Sequence, residues 1–257
     1  MSSETFTVGR AAVVVHANLE RLATATAEQA AGVLRGAIAE RGVANVMLAT
    51  GNSQLAFLAV LVRAKAGVEW RAVRGFHMDE YVGMTGDHAA SFRRYMRERV
   101  VAKVPLLEFH YLEGDAADPA VEARRYAELL GRFPLDLCVL GIGENGHLAF
   151  NDPPVADFDD LQAVKVVSLD EACRRQQVGE GHFATLADVP AQAITVTIPA
   201  LLAARCLIAI VPEARKAEPV HAALTGPITP ACPASILRTH AHVTIHLDTE
   251  SAAGVPR

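Results

Sequence analysis

Residues 140–154 read Leu140-Gly141-Ile142-Gly143-Glu144-Asn145-Gly146-His147-Leu148-Ala149-Phe150-Asn151-Asp152-Pro153-Pro154. A short apolar run, Leu135 to Leu140, leads straight into this glycine-rich turn, which carries an imidazole and two carboxylates. Gly141, Gly143 and Gly146 spell G-x-G-x-x-G, the pattern of a dinucleotide loop. That loop needs a strand before it and a helix opening on its last glycine, so that the helix N-terminus meets the pyrophosphate. The strand is present, but Pro153 and Pro154 break the required helix before it gains useful length. The stretch therefore reads as a catalytic loop at the carboxyl end of a strand, where open α/β sheets place their ligands.

Outward from this loop, apolar runs alternate with amphipathic segments. Asn18 caps a helix from Leu19 to about Glu40, stopped by Gly42. Strands are expected at Val46–Ala49, Ala72–Met78, Phe109–Leu112, Leu135–Leu140, Val164–Leu169, Ile194–Thr197, Arg205–Val211 and Val243–Leu247. Helices are expected after Ser53 to about Arg63, at Ser91–Val100, Pro119–Leu130 and Glu213–Ala223, with a short turn at Pro199–Ala203. The alternation implies an α/β fold: a single domain over residues 1–257, with a doubly wound, mostly parallel sheet and helices on both faces. The region 152–188 is the most loop-like, from Asp152 to Asp160 and again from Glu171 to Asp188. It is expected to form an irregular lid.

Composition narrows the function. A chain of 257 residues, 51% hydrophobic and 21% charged, fits a globular core. A net charge of −5 argues against general nucleic-acid binding, so an anionic small substrate must meet a local cluster of cations. Cys138, Cys173, Cys206 and Cys232 are widely spaced, which suggests neither a zinc site nor a disulfide framework. The histidines show no metal-ligand spacing, and no metal is expected. Met1-Ser2-Ser3-Glu4 does not open a signal peptide, and no apolar run reaches the length of a membrane span. The expected compartment is the cytoplasm, with no membrane partner.

Three further segments carry candidate chemistry. Thr50-Gly51-Asn52-Ser53 lies between a strand and a helix, where hydroxyls and free backbone N–H groups make an anion site. An ordinary βα turn with Ser53 as N-cap explains it equally well. Phe76-His77-Met78-Asp79-Glu80-Tyr81-Val82-Gly83 puts adjacent carboxylates at a strand end. One of them, in a dry pocket, can serve as a proton shuttle; the plain alternative is a solvated acidic turn. Glu213-Ala214-Arg215-Lys216 places a lysine at a helix start near the same sheet edge.

Together these segments resemble the glucosamine-6-phosphate deaminase/isomerase family and, more distantly, 6-phosphogluconolactonase, which shares the fold. The similarity runs from Ala49-Thr50-Gly51, through Phe76 to Gly83 and His88-Ala89-Ala90-Ser91-Phe92, to Pro233-Ala234-Ser235-Ile236-Leu237. Ala149-Phe150-Asn151 after the histidine favours the deaminase branch over the lactonases. The resemblance implies conversion of glucosamine 6-phosphate and water to fructose 6-phosphate and ammonia, without a cofactor. It gives Asp79 the proton transfer between C2 and C1, and His147 the ring opening. Phosphate would be held by Thr50, Gly51, Asn52 and Ser53, with Lys216 as the matching cation.

This chain departs from the family at several places. The family's well-known deaminases carry aspartate two residues before the histidine and glutamate five after it; here these are Asn145 and Asp152. The two are expected to orient the imidazole, with Glu144 as an extra carboxylate and with weaker ring opening or a different substrate as the consequence. Gly181 aligns with a phosphate-binding arginine of the family, so Arg174 or Arg175 is expected to substitute. Basic residues of the family's activator site have no match around Val155 to Ser168. A lactonase-type hydrolase and a non-catalytic sugar-phosphate sensor stand as alternatives. Members of this fold are monomers or larger rings, which leaves a homo-oligomer open.

Overall fold

The computed structural model describes residues 3–63 and 66–255. Its main sheet contains β1 (Glu4–Val8), β2 (Ala11–His16), β3 (Ala44–Leu48), β4 (Val73–His77), β6 (Glu108–His110), β7 (Leu137–Leu140), β10 (Cys206–Val211) and β11 (Val243–Asp248). Their order is β1-β2-β11-β10-β7-β3-β4-β6, parallel throughout except for the β1/β2 hairpin. A second, antiparallel sheet of β5 (Asp79–Tyr81), β9 (Gln192–Val196) and β8 (Val164–Ser168) lies at the carboxyl end of β4. The expected α/β architecture is found.

The strands alternate between two cores because successive side chains of a strand point to opposite faces. Val46, Leu48, Leu137, Val139, Ile208 and Ile210 pack with α1 (Leu19–Arg41) and α2 (Leu55–Leu61). Met47, Cys138, Leu140, Leu207 and Ala209 face the other way, onto α4 (Pro119–Arg132), α6 (Ile198–Leu202) and α7 (Ala217–Thr225). α1 begins where Asn18 accepts from the Arg21 N–H at 3.0 Å and ends at Gly42 in the left-handed region, as its sequence signals require. No helix among the described residues is long and apolar enough to cross a membrane.

Four expectations are corrected. β1 and β2 lie where no strand was expected. These strands flank the two-residue turn Gly9-Arg10, with Gly9 at φ 60°, and β2 joins the sheet interior by pairing with β11. The strand read as Ala72–Met78 stops at His77; the chain changes sheets at Met78, and Asp79 opens β5. The helix expected from Glu213 begins as a 3-10 turn, Ala214–Lys216, before α7. The region 152–188 is irregular only in part: residues 152–163 hold no helix or strand, as expected, but β8 and α5 (Glu171–Gly179) follow, over a core that includes Tyr81, Phe92, Phe150, Val167, Cys173 and Phe183.

α4 is tied to the end of β4 by one buried hydroxyl. Tyr126 Oη donates to the His77 carbonyl at 2.7 Å and accepts from the His77 N–H at 3.1 Å. Replacing Tyr126 with Phe leaves both backbone groups buried and unpaired at the place where the chain leaves the main sheet. We expect a loss of about 1–3 kcal/mol in urea unfolding. A loss near zero would show that this tie does not hold the crossing.

Candidate active site

Four loops meet at the carboxyl edge of the main sheet. They follow β3, β4, β7 and β10, and with the end of α5 they line one open cavity. Thr50, Gly51, Asn52 and Ser53 line it from the first loop, Met78 and Asp79 from the second, Gly143 and His147 from the third, and Arg215 and Lys216 from the fourth. Gln176, Gln177, Glu180 and His182 complete the wall from the cover.

The adjacent carboxylates of β5 divide their roles by environment. Glu80 is fully buried and accepts from the N–H groups of Tyr81, Phe92 and Arg93 at 2.9, 3.3 and 3.0 Å and from Ser91 Oγ at 2.7 Å. Its oxygens are committed to holding the start of α3 (Phe92–Met96). Asp79 lines the cavity, and its Oδ1 has no hydrogen-bond partner among the described residues. Burial, reinforced by the charge of Glu80, holds the Asp79 carboxyl well above the ordinary range. A carboxylate raised in this way is a stronger base once ionised.

His147 is held from behind. Its Nδ1 lies 2.9 Å from Asp152 Oδ1, so aspartate is long enough at this position despite its missing methylene. Asn145 does not touch the ring: it accepts the His147 backbone N–H at 3.1 Å and donates to Asp152 Oδ1 at 2.9 Å. The carboxylate facing the imidazole is therefore Asp152. Burial raises the Asp152 pKa, but the contacts with His147 and Asn145 outweigh it and leave the group below the ordinary value. Gly143 backs the ring so closely that a Cβ there would sit 2.3 Å from the imidazole. The loop is pinned to β9, where Phe150 N–H meets Thr195 Oγ1 at 3.1 Å and Asn151 Nδ2 meets the Val196 carbonyl at 2.9 Å. His147, Asp152 and Cys173 offer ligand atoms within 4.8 Å of one another, but burial and the Asp152 charge push the Cys173 thiol up, away from the thiolate a metal needs.

The opposite end of the cavity is cationic but contested. Lys216 is buried, which pulls its pKa down, while Glu180 pulls it back up. Arg215 contacts Glu144 at 3.3 Å, Glu180 at 3.1 Å and Glu213 at 2.6 Å. Three expected residues are therefore placed elsewhere. Glu144 faces Arg215 rather than His147. Arg174 spends its guanidinium on the Leu186 and Val189 carbonyls, at 2.7 and 2.9 Å. Arg175 is largely exposed and pairs with Glu171. Neither arginine lines the cavity; Arg215 does, and its signal was its position beside Lys216 after a strand. Gln176, Gln177, Glu180 and His182 had no comparable signal, because only the packing of α5 turns them inward.

The family described as glucosamine-6-phosphate isomerases/6-phosphogluconolactonase matches residues 17–246, and the chain belongs to it. A glucosamine-6-phosphate deaminase of Exiguobacterium sibiricum is 38% identical over 206 residues, 80% of this chain and 79% of that one. One from Listeria monocytogenes is 34% identical over 229 residues, 89% of this chain and 95% of its own. The solved structure of a monomeric glucosamine-6-phosphate deaminase superposes with a TM-score of 0.85 at 29% identity, covering 94% of this chain and 98% of that chain.

The raised Asp79 pKa carries a stability consequence. Folding favours the protonated form, so the contribution is intact below the ordinary aspartate value of 3.8 and stability is lost as pH rises beyond it. Asp79→Asn mimics the neutral form. Its urea midpoint should exceed that of the native protein by more at pH 8 than at pH 5, and an equal offset at both would contradict the assignment.

Proposed function

We propose that the chain converts an amino-sugar 6-phosphate, most specifically glucosamine 6-phosphate, with water to a ketose 6-phosphate and ammonia, by aldose–ketose isomerisation and without a cofactor. One observation carries the reading. The unpartnered Asp79 carboxylate oxygen, the Asp152-backed His147 and the Thr50–Ser53 turn with Lys216 all face one cavity. Membership of the family and the deaminase relatives support it.

The phosphate sits against the Thr50–Ser53 turn, with Lys216 as counter-charge. His147 passes the C1 hydroxyl proton to the ring oxygen, which opens the sugar to an aldehyde; Asp152 steadies the imidazolium formed on the way. The new carbonyl acidifies C2–H. Asp79 takes that proton, leaving an enolate at O1 beside the C2 amine, and returns it at C1 as the nitrogen lone pair closes to a C2 iminium; a proton then passes from that nitrogen to O1, giving the 1-hydroxy imine. Water adds to the imine and ammonia leaves, so both side chains end in their starting states. We assign the whole chain to one domain, with the 152–188 segment as cover. A cytoplasmic site of action is consistent with the four free cysteines.

Incubation with glucosamine 6-phosphate should release ammonia and ketose 6-phosphate in equal amounts. Asp79→Asn should lower kcat at least about a hundredfold. No turnover by the folded native protein would sink this substrate. Asn145→Asp sets a second carboxylate against Asp152, 2.9 Å away in the native contact, and should reduce kcat. A gain would show instead that residue 145 tunes the imidazole by charge.

A further inference from the structure

The end of the cavity assigned to phosphate already contains an anion. Glu180 follows the last turn of α5, lines the cavity, and has a side chain only 7% exposed. Its Oε1 lies 3.1 Å from Arg215 Nη1 and accepts from Gln176 Nε2 at 2.8 Å, while its Oε2 lies 3.3 Å from His182 Nε2. Its main-chain oxygen accepts from Asn52 Nδ2 at 3.3 Å. Residue 180 thus occupies donors from both sides of the anion site, the Thr50–Ser53 turn and the Arg215-Lys216 turn.

The local charge makes this more than a spectator contact. Arg215 and Lys216 face Glu144, Glu180 and Glu213, so fixed cations are outnumbered by carboxylates before any substrate arrives. A phosphate dianion entering that set would meet net repulsion in a partly dry site. Glu144 and Glu213 approach Arg215 from its more exposed sides, each with 42% of its side chain accessible. Glu180 is the buried carboxylate of the three and the one that lines the cavity.

We propose that Glu180 sets substrate affinity by standing in for the phosphate: its carboxylate holds Arg215 in the empty site and must leave that guanidinium when the sugar phosphate binds. This rests on the phosphate reading of the Thr50–Ser53 and Lys216 end of the cavity. The exchange is also connected to the catalytic loop. Gln176, which donates to Glu180, accepts from the Glu144 N–H at 3.0 Å, so expulsion of Glu180 frees a side chain that braces the turn leading to His147.

The test is calorimetric titration of the full chain with inorganic phosphate, paired with KM for glucosamine 6-phosphate. Glu180→Gln should bind phosphate several-fold more tightly and lower KM. Glu180→Ala removes the same charge and should behave alike, which guards against a folding failure of one variant, whereas Glu180→Asp keeps the charge and should show no such gain. Lys216→Gln should weaken phosphate binding. If it does, while both neutral Glu180 variants bind phosphate no better than the native protein, the phosphate reading stands and the Glu180 proposal is overturned. If Lys216→Gln leaves phosphate binding unchanged, the phosphate reading itself fails, and the proposal with it.

Discussion

The carboxylate of Glu80 is the constraint around which the site is arranged. It is fully buried, and a buried charge is tolerable only when its lone pairs are satisfied. Three backbone N–H groups and the Ser91 hydroxyl satisfy it, with the Arg93 guanidinium 3.7 Å away. Arg93 in turn spans to Glu113 and to Asp115, the latter at 2.8 Å. This network anchors β5 and the start of α3 to the loop after β6. Since neighbours along a strand point oppositely, fixing Glu80 away from the cavity turns Asp79 into it. The crossing between sheets at Met78 and the orientation of the proposed proton shuttle therefore follow from one set of hydrogen bonds.

Around the site, Asn151 and Thr195 hold the His147 loop to β9, and Tyr126 holds the end of β4. Among the groups facing the cavity, Asp79 has an oxygen without a partner, and burial shifts both Asp79 and Lys216. That is the expected trade between stability and a preorganised site. Glu180 is shifted the other way. Despite burial, its contacts with His182, Gln176 and Arg215 hold its pKa at about 2, so it stays an anion.

Much of this was legible along the chain. α1 and its caps, the parallel strands and the loops at their carboxyl ends are encoded by short-range patterns that tertiary contacts did not override. Asp79, His147, Asp152, the Thr50–Ser53 turn and Lys216 were legible because local glycine, proline and strand signals surround them, and the family resemblance gave them roles. β1 and β2 were missed although Gly9 marks their turn, because a run such as Ala11-Ala12-Val13-Val14-Val15 shows no alternation to distinguish it. The order inside α5 was missed because its polar sequence carries no clear period and its apolar partners, Tyr81 and Phe150, come from distant segments.

Sequence by itself determined the α/β class, the sheet edge at which the cavity forms, and the residue types available there, since these depend on periodicity and on neighbours a few positions away. Tertiary structure alone decided which of two adjacent carboxylates is free, that Asp152 rather than residue 145 faces the imidazole, and that Arg215 rather than Arg174 or Arg175 reaches the cavity. It also decided that Glu180 stands among the cations. The physical reason is that charge, burial and hydrogen bonding are set by groups converging from β3, β4, β7, β10 and α5, and their distances in space are not written in their spacing along the chain.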